Sequence, residues 1–141
     1  MTRDEIHALV KRRHAGWAAH DPVALAKLHA ENGTVASPVG GVLEGRDEIE
    51  RVYRLWFSAF PDIRMVEDDL VIDGDRVVMV VRASGTHSGD FFGLAPTGRP
   101  MEFQLALVMT LADGLIVQER RIYDFTGLLV QVGVLKAKPS V

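Results

Sequence analysis

The sequence predicts an α+β fold, and three observations predict it. Ahead of Phe60, apolar residues recur at helical spacing in separate segments. After Ile63, four long extended runs follow with no helical period between them. The runs are joined in pairs by Asp73-Gly74-Asp75 and by Asp113-Gly114, and Asp-Gly between such runs is a strong short-range hairpin signal. Helices gathered before the strands, rather than alternating with them, pack on one face of a curved antiparallel sheet.

The first helix spans residues 3–20, where Ile6, Leu9, Val10, the stem of Arg13, Trp17 and Ala18 form one stripe. Asp21 is a natural N-cap and Pro22 suits the first helical position, so a second short helix runs to Ala30. Asn32-Gly33 closes that helix, and residues 34–38 read as a short strand. After a Gly40-Gly41 loop, Gly45-Arg46-Asp47 leads into a third helix with the stripe Ile49, Val52, Tyr53, Trp56, Phe57 and Phe60. Pro61-Asp62 stops it. Strands follow at residues 63–73 and 76–87, then a Gly- and Pro-rich loop at 88–100, then strands at 101–111 and 115–125. Phe103, Leu105, Leu107, Met109 and Leu111 alternate with more polar residues and face the core. Thr126 caps a final short helix over 127–133. Residues 1–135 are expected to form a single domain, with 136–141 a frayed tail.

Composition narrows the function. The chain has 141 residues, 48% hydrophobic and 25% charged, which suits an ordinary globular domain with a real core. A formal net charge of -3 and no Lys/Arg run give no footprint for nucleic acid. With no cysteine, disulfides, thiol nucleophiles and Cys-ligated metals are excluded. The charged N-terminus leads into no long apolar run, which argues against a signal peptide or membrane span and makes the cytoplasm the expected location. The histidines lack metal-site spacing, and the glycines of 85–98 lack the pattern of a phosphate loop.

Several short motifs occur in a telling order. They are His20-Asp21, Phe60-Pro61-Asp62, Gly85-Thr86-His87-Ser88-Gly89-Asp90-Phe91, Pro96-Thr97-Gly98-Arg99, Asp113-Gly114-Leu115-Ile116, and Asp124 ahead of Gly127-Leu128-Leu129-Val130-Gln131-Val132-Gly133. In this order, from about His7 to Gly133, the chain resembles the SnoaL-like polyketide (ester) cyclases of the nuclear transport factor 2-like superfamily. The resemblance implies a cone-shaped fold, a curved antiparallel sheet wrapped by about three N-terminal helices around an apolar cavity, and a homodimer formed through the sheet. It implies acid/base chemistry on an apolar carbonyl-bearing substrate, of the isomerase or lyase kind, with no cofactor and no metal. It also places the acid/base at Asp124.

The residues around Asp124 leave its role open. It can serve as acid/base, as an anion or cap at the start of the last helix, or as a salt-bridge partner of Arg120, Arg121 or Arg82. Strand parity puts Asp124, Ile122 and Arg120 on one side, with Tyr123 and Arg121 on the other. Arg120 stands where relatives often carry tryptophan. Facing inward it would bind an anionic or ester oxygen; facing outward it is a surface residue. Leu107 falls where related cyclases can carry a polar partner for the substrate oxyanion. His87 is a candidate proton shuttle at the pocket rim. His14, Trp17, Tyr53, Trp56, Phe57, Phe60, Leu107 and Tyr123 are the candidate substrate-binding residues, while His7, His20 and His29 read as surface or helix-end residues. Phe91, Phe92 and Leu94 suit a lid or a dimer contact. Two other readings compete: an epoxide hydrolase, to which Arg82, Arg120 and Asp124 could contribute, and a dimeric module that binds a small ligand without chemistry.

Overall fold

A computed structural model describes residues 1–136 of the chain; the expected frayed tail lies, beyond Lys136, outside the described residues. Helix α1 (Arg3–Ala18) starts at a capping box, in which Thr2 accepts from the Glu5 amide and Glu5 accepts from the Thr2 amide. Asp21 caps α2 (Pro22–Ala26) with Pro22 in the first turn, as the sequence indicates.

The second helix is shorter than expected because the sheet recruits the residues after it. β1 (His29–Ser37) lies parallel to β6 (Leu115–Tyr123), and β2 (Gly41–Glu44) pairs antiparallel along its other edge. Asn32-Gly33 therefore sits inside a strand and marks an irregularity in the β1–β6 register, not a helix stop. A Cβ at Gly33 would lie 3.1 Å from two carbonyl oxygens, those of Ala30 and Ile116, so only glycine fits that approach comfortably.

Helix α3 (Arg46–Ala59) buries Ile49, Val52, Tyr53 and Trp56, with Phe60 buried just beyond its end. β3 (Arg64–Asp73), β4 (Arg76–Thr86), β5 (Pro100–Ala112) and β6 form an antiparallel meander, within a six-stranded curved sheet of order β2-β1-β6-β5-β4-β3. The β5–β6 turn carries positive φ at both Asp113 and Gly114, the geometry expected of a two-residue Asp-Gly hairpin. Phe103, Leu105, Leu107, Met109 and Leu111 are all buried on the concave face, as alternation predicts. With α1 and α3 across that face, the result is the α+β cone. The last helix, α4 (Phe125–Gln131), is capped by Asp124 rather than Thr126, and starts two residues earlier than expected. No helix among the described residues is long and apolar enough to cross a membrane.

Candidate functional site

The mouth of the concave face holds a small cavity of about 20 Å3, room for the centre of one water. α1 contributes Arg13 and Trp17, α3 contributes Trp56, and β3 contributes Met65. The sheet floor adds Phe103 and Leu105 from β5, with Arg121 and Tyr123 from β6. β6 presents Arg121 and Tyr123 inward because they share parity, and Arg121 and Tyr123 lie opposite Leu107 and Leu105 in the ladder.

Beneath the cavity lies a buried charged cluster. Arg121 donates through Nε to Glu119 Oε2 at 2.6 Å, and Arg13 Nη2 stands 3.9 Å from the same oxygen. Arg13, Glu119 and Arg121 are 2%, 0% and 8% exposed, so both guanidiniums and the carboxylate are out of water. Burial alone would raise the Glu119 pKa, but the Arg121 and Arg13 charges outweigh it and hold the group down at about 2. Burial drives His29 the other way, to about 4, so its ring is neutral near pH 7 and hydrogen-bonds Tyr53 Oη through Nε2 at 2.8 Å. Two guanidiniums thus face one carboxylate, and the cluster is net positive. The Arg121 guanidinium also lies 4.9 Å from the centroid of the Tyr53 ring, a favourable cation–π distance.

Four of the cavity-lining residues own a buried polar atom with no hydrogen-bond partner among the described residues: Arg13 Nε, Trp17 Nε1, Arg121 Nη2 and Tyr123 Oη. The first three are donors only. Burial pushes the Tyr123 phenol up to about 12, against the hydrogen-bonding pull of Ser37 and the Val39 backbone, which its hydroxyl approaches, and against the Arg121 charge, so it too carries its proton at neutral pH. Unpaired buried donors are costly, and four on one cavity call for an acceptor, whether ordered water or a ligand.

A larger cleft lies beside the cavity, between α1 and β3. That cleft, of about 460 Å3, shares Trp17 and Met65 with the cavity and is lined also by His14, His20, Ile63 and Arg64. Two hydrogen bonds span its sides: His14 Nε2 with Glu67 Oε1 at 2.9 Å, and His20 Nε2 with the Ile63 carbonyl at 2.9 Å.

Of the residues singled out from sequence, Trp17, Trp56 and Tyr123 line the cavity. His14 lines the neighbouring cleft. Tyr53 is buried below, bonded to His29, and Leu107 is buried one ladder step deeper than Leu105. Phe57 packs edge-on against Trp17 and stacks on His20. Phe60 and the loop residue Phe91 are both fully buried against Trp56, so the loop plugs the cone near Phe125.

The three candidate catalytic residues lie off the cavity wall. Arg120 is exposed on the outer face of β6, the surface alternative. His87 is fully buried beneath the 88–99 loop, with Nδ1 3.2 Å from Thr97 Oγ1 and its ring beside Phe60. Asp124 is exposed, and its carboxylate accepts from the Gly127 amide at 2.8 Å. Arg82 pairs with Asp68 at 2.9 Å on the exterior.

His29 corrects its sequence reading, because pairing with Ile116 carries it into the sheet rather than to a helix end. Arg13, Glu119 and Arg121 join the site only in three dimensions. The sequence signal for Arg121 is the parity that groups it with Tyr123; for Arg13 it is a charge on a buried helical stripe.

The family profile of SnoaL-like polyketide cyclase matches residues 7–132. No curated protein matches the chain in sequence. Among solved structures, IdmH of Streptomyces antibioticus, a proposed polyketide cyclase, is 28% identical, with a TM-score of 0.75, covering 91% of this chain and 98% of that one. TsrD of Streptomyces laurentii is 27% identical with a TM-score of 0.84, over 96% and 99% of the two chains. AclR of Streptomyces galilaeus, a proposed hydroxylase, is 25% identical with a TM-score of 0.84, over 98% and 87%.

Proposed function

Since the chain belongs to the SnoaL-like polyketide cyclase family, we propose that it is a cofactor-independent acid/base enzyme acting on an apolar, carbonyl-bearing small molecule bound at the Trp17–Tyr123 cavity. The observation that carries this reading is the set of unpaired buried donors on Arg13, Trp17, Arg121 and Tyr123. Donors aimed at a carbonyl oxygen stabilise the enolate formed when the neighbouring carbon loses its proton. The C–H electron pair moves into the enolate, which then attacks a second carbonyl to form a C–C bond, and the resulting alkoxide takes a proton back.

Asp124 is the proposed proton carrier. It directly follows Tyr123 on the chain, at the junction of β6 with α4, where its carboxylate accepts from the Gly127 amide. The titratable groups under the cavity are poor substitutes: Glu119 at about 2 is too weak a base, and Tyr123 at about 12 holds its proton. The same facts favour one second reading, a binding module whose cavity holds a ligand without turnover. The epoxide hydrolase reading loses support because Arg82 and Arg120 both face outward.

Incubation with an enolisable aryl 1,3-diketone in D2O, followed by NMR, tests the proposal. Exchange of the α-proton above background, abolished in Asp124→Asn, is the expected result. Full exchange in that variant removes Asp124 from the mechanism, and tight binding with no exchange establishes the binding module.

The outer face of the sheet is proposed to pair with a second copy. Val71 and Ile122 are 53% and 52% exposed there, and the ladder aligns the half-buried Val78, Val80, Ala106 and Val108 between them.

A further inference from the structure

The donors around the cavity also specify the charge of what binds. A water accepts two hydrogen bonds, so one water in a space of about 20 Å3 leaves two of the four donors unpaired. An ionised carboxylate offers about four acceptor sites, as many as there are donors. A neutral carbonyl offers about two. Charge agrees with the count: Glu119 is bound to Arg121 and near Arg13, leaving one positive charge uncompensated out of water. The other two orphaned atoms of the cluster, Glu119 Oε1 and His29 Nδ1, belong to residues outside the cavity wall. The cavity is too small for a ring, but the α1/β3 cleft that shares Trp17 and Met65 is large enough.

We propose that the ligand is an acidic small molecule bound as its anion, with the ionised oxygen among Arg13, Trp17, Arg121 and Tyr123 and its apolar body in the α1/β3 cleft. The anion is a carboxylate or the enolate of a 1,3-dicarbonyl compound. This rests on the reading that the cavity is the functional site, and it adds that a neutral ester or ketone is the poorer ligand.

Two probe pairs test it on the full chain. One is 2-naphthoate against its methyl ester. The other is the acidic 1,3-diketone dimedone against its non-enolisable 2,2-dimethyl derivative. The chain has two tryptophans, Trp17 and Trp56, and both line the cavity, so tryptophan fluorescence reports occupancy directly. At neutral pH each anion is expected to bind at least tenfold more tightly than its neutral partner, by about the worth of one charge-assisted hydrogen bond. The pair with the larger ratio identifies carboxylate or enolate.

Tyr123→Phe removes one unpaired donor and keeps the ring. Anion affinity should drop by about tenfold while the unliganded protein still unfolds in one cooperative melting transition. Trp17→Phe, read by calorimetry, should do the same. Equal affinity for charged and neutral probes overturns the proposal and leaves the cavity as the site. Anion binding that neither variant weakens overturns the cavity assignment beneath it. Failure of both anions to bind overturns the proposal outright.

Discussion

His29 has no exposed surface, and its ring is held by Tyr53 above a cluster of two arginines and Glu119. Burial lowers its pKa from 6.5 to about 4, with Glu119 opposing and the arginines assisting. A depressed folded-state pKa means that the unfolded chain takes up a proton, near pH 6.5, which the folded one refuses until near pH 4. Stability is therefore full above about pH 6.5 and declines through that window, by an amount on the order of 3 kcal/mol. Glu119 extends the decline, because its own pKa falls from 4.5 to about 2. Urea unfolding at a series of pH values should show both phases, and His29→Gln should flatten the upper one while leaving the lower. A variant profile that still falls between pH 6.5 and 4 would assign that phase to another group. At this scale the sequence was only partly legible. The periodicity that put Arg13 on the apolar stripe was right about its position, but an arginine on such a stripe ordinarily keeps its head in water. Only a carboxylate brought from β6, more than a hundred residues later, allows that head to be buried.

Among the elements, α4 separates capping from chemistry. Asp124 Oδ1 accepts from the Gly127 amide, which satisfies one of the unpaired N–H groups at the helix start. Asparagine caps about as well as aspartate, whereas alanine does not. Asp124→Ala should therefore lose the cap, worth about 1 kcal/mol in urea unfolding, and Asp124→Asn should keep it. The proposed proton transfer should disappear in both. If Asp124→Asn loses activity only in proportion to lost stability, the carboxylate is structural. Elements with strong local signals were legible: the capped α1, Asp21-Pro22, and the Asp113-Gly114 hairpin all stand where the residues put them. β1 and β2 were not. Helix α2 stops early because Ile116 donates its amide to the Leu28 carbonyl, a contact across the sheet that no local window contains.

For the whole molecule, the sheet buries its concave face against α1 and α3 and leaves valines and Ile122 on its outer face. This apolar patch is the surface of the proposed pairing with a second copy. Ile122→Glu places a charge at the β6 edge of the patch without touching the cavity, so it should convert a dimer to a monomer in light scattering while the unfolding midpoint of the monomer stays near that of the parent. A parent that is monomeric at high micromolar concentration rules the pairing out.

By itself the sequence determined the α+β class, the order of the long elements, the concave β5 stripe and the family. All of these come from short-range periodicity, turn chemistry and motif order. Only the tertiary structure decided which charges are buried and where the cavity lies. Strand parity states which residues share a face, but not which face is covered, and α1 covers the one that carries Arg121 and Tyr123. The same physics turned Arg120 outward and set Asp124 on a helix cap. A residue's protonation and reach depend on neighbours that the chain brings together only when the cone closes.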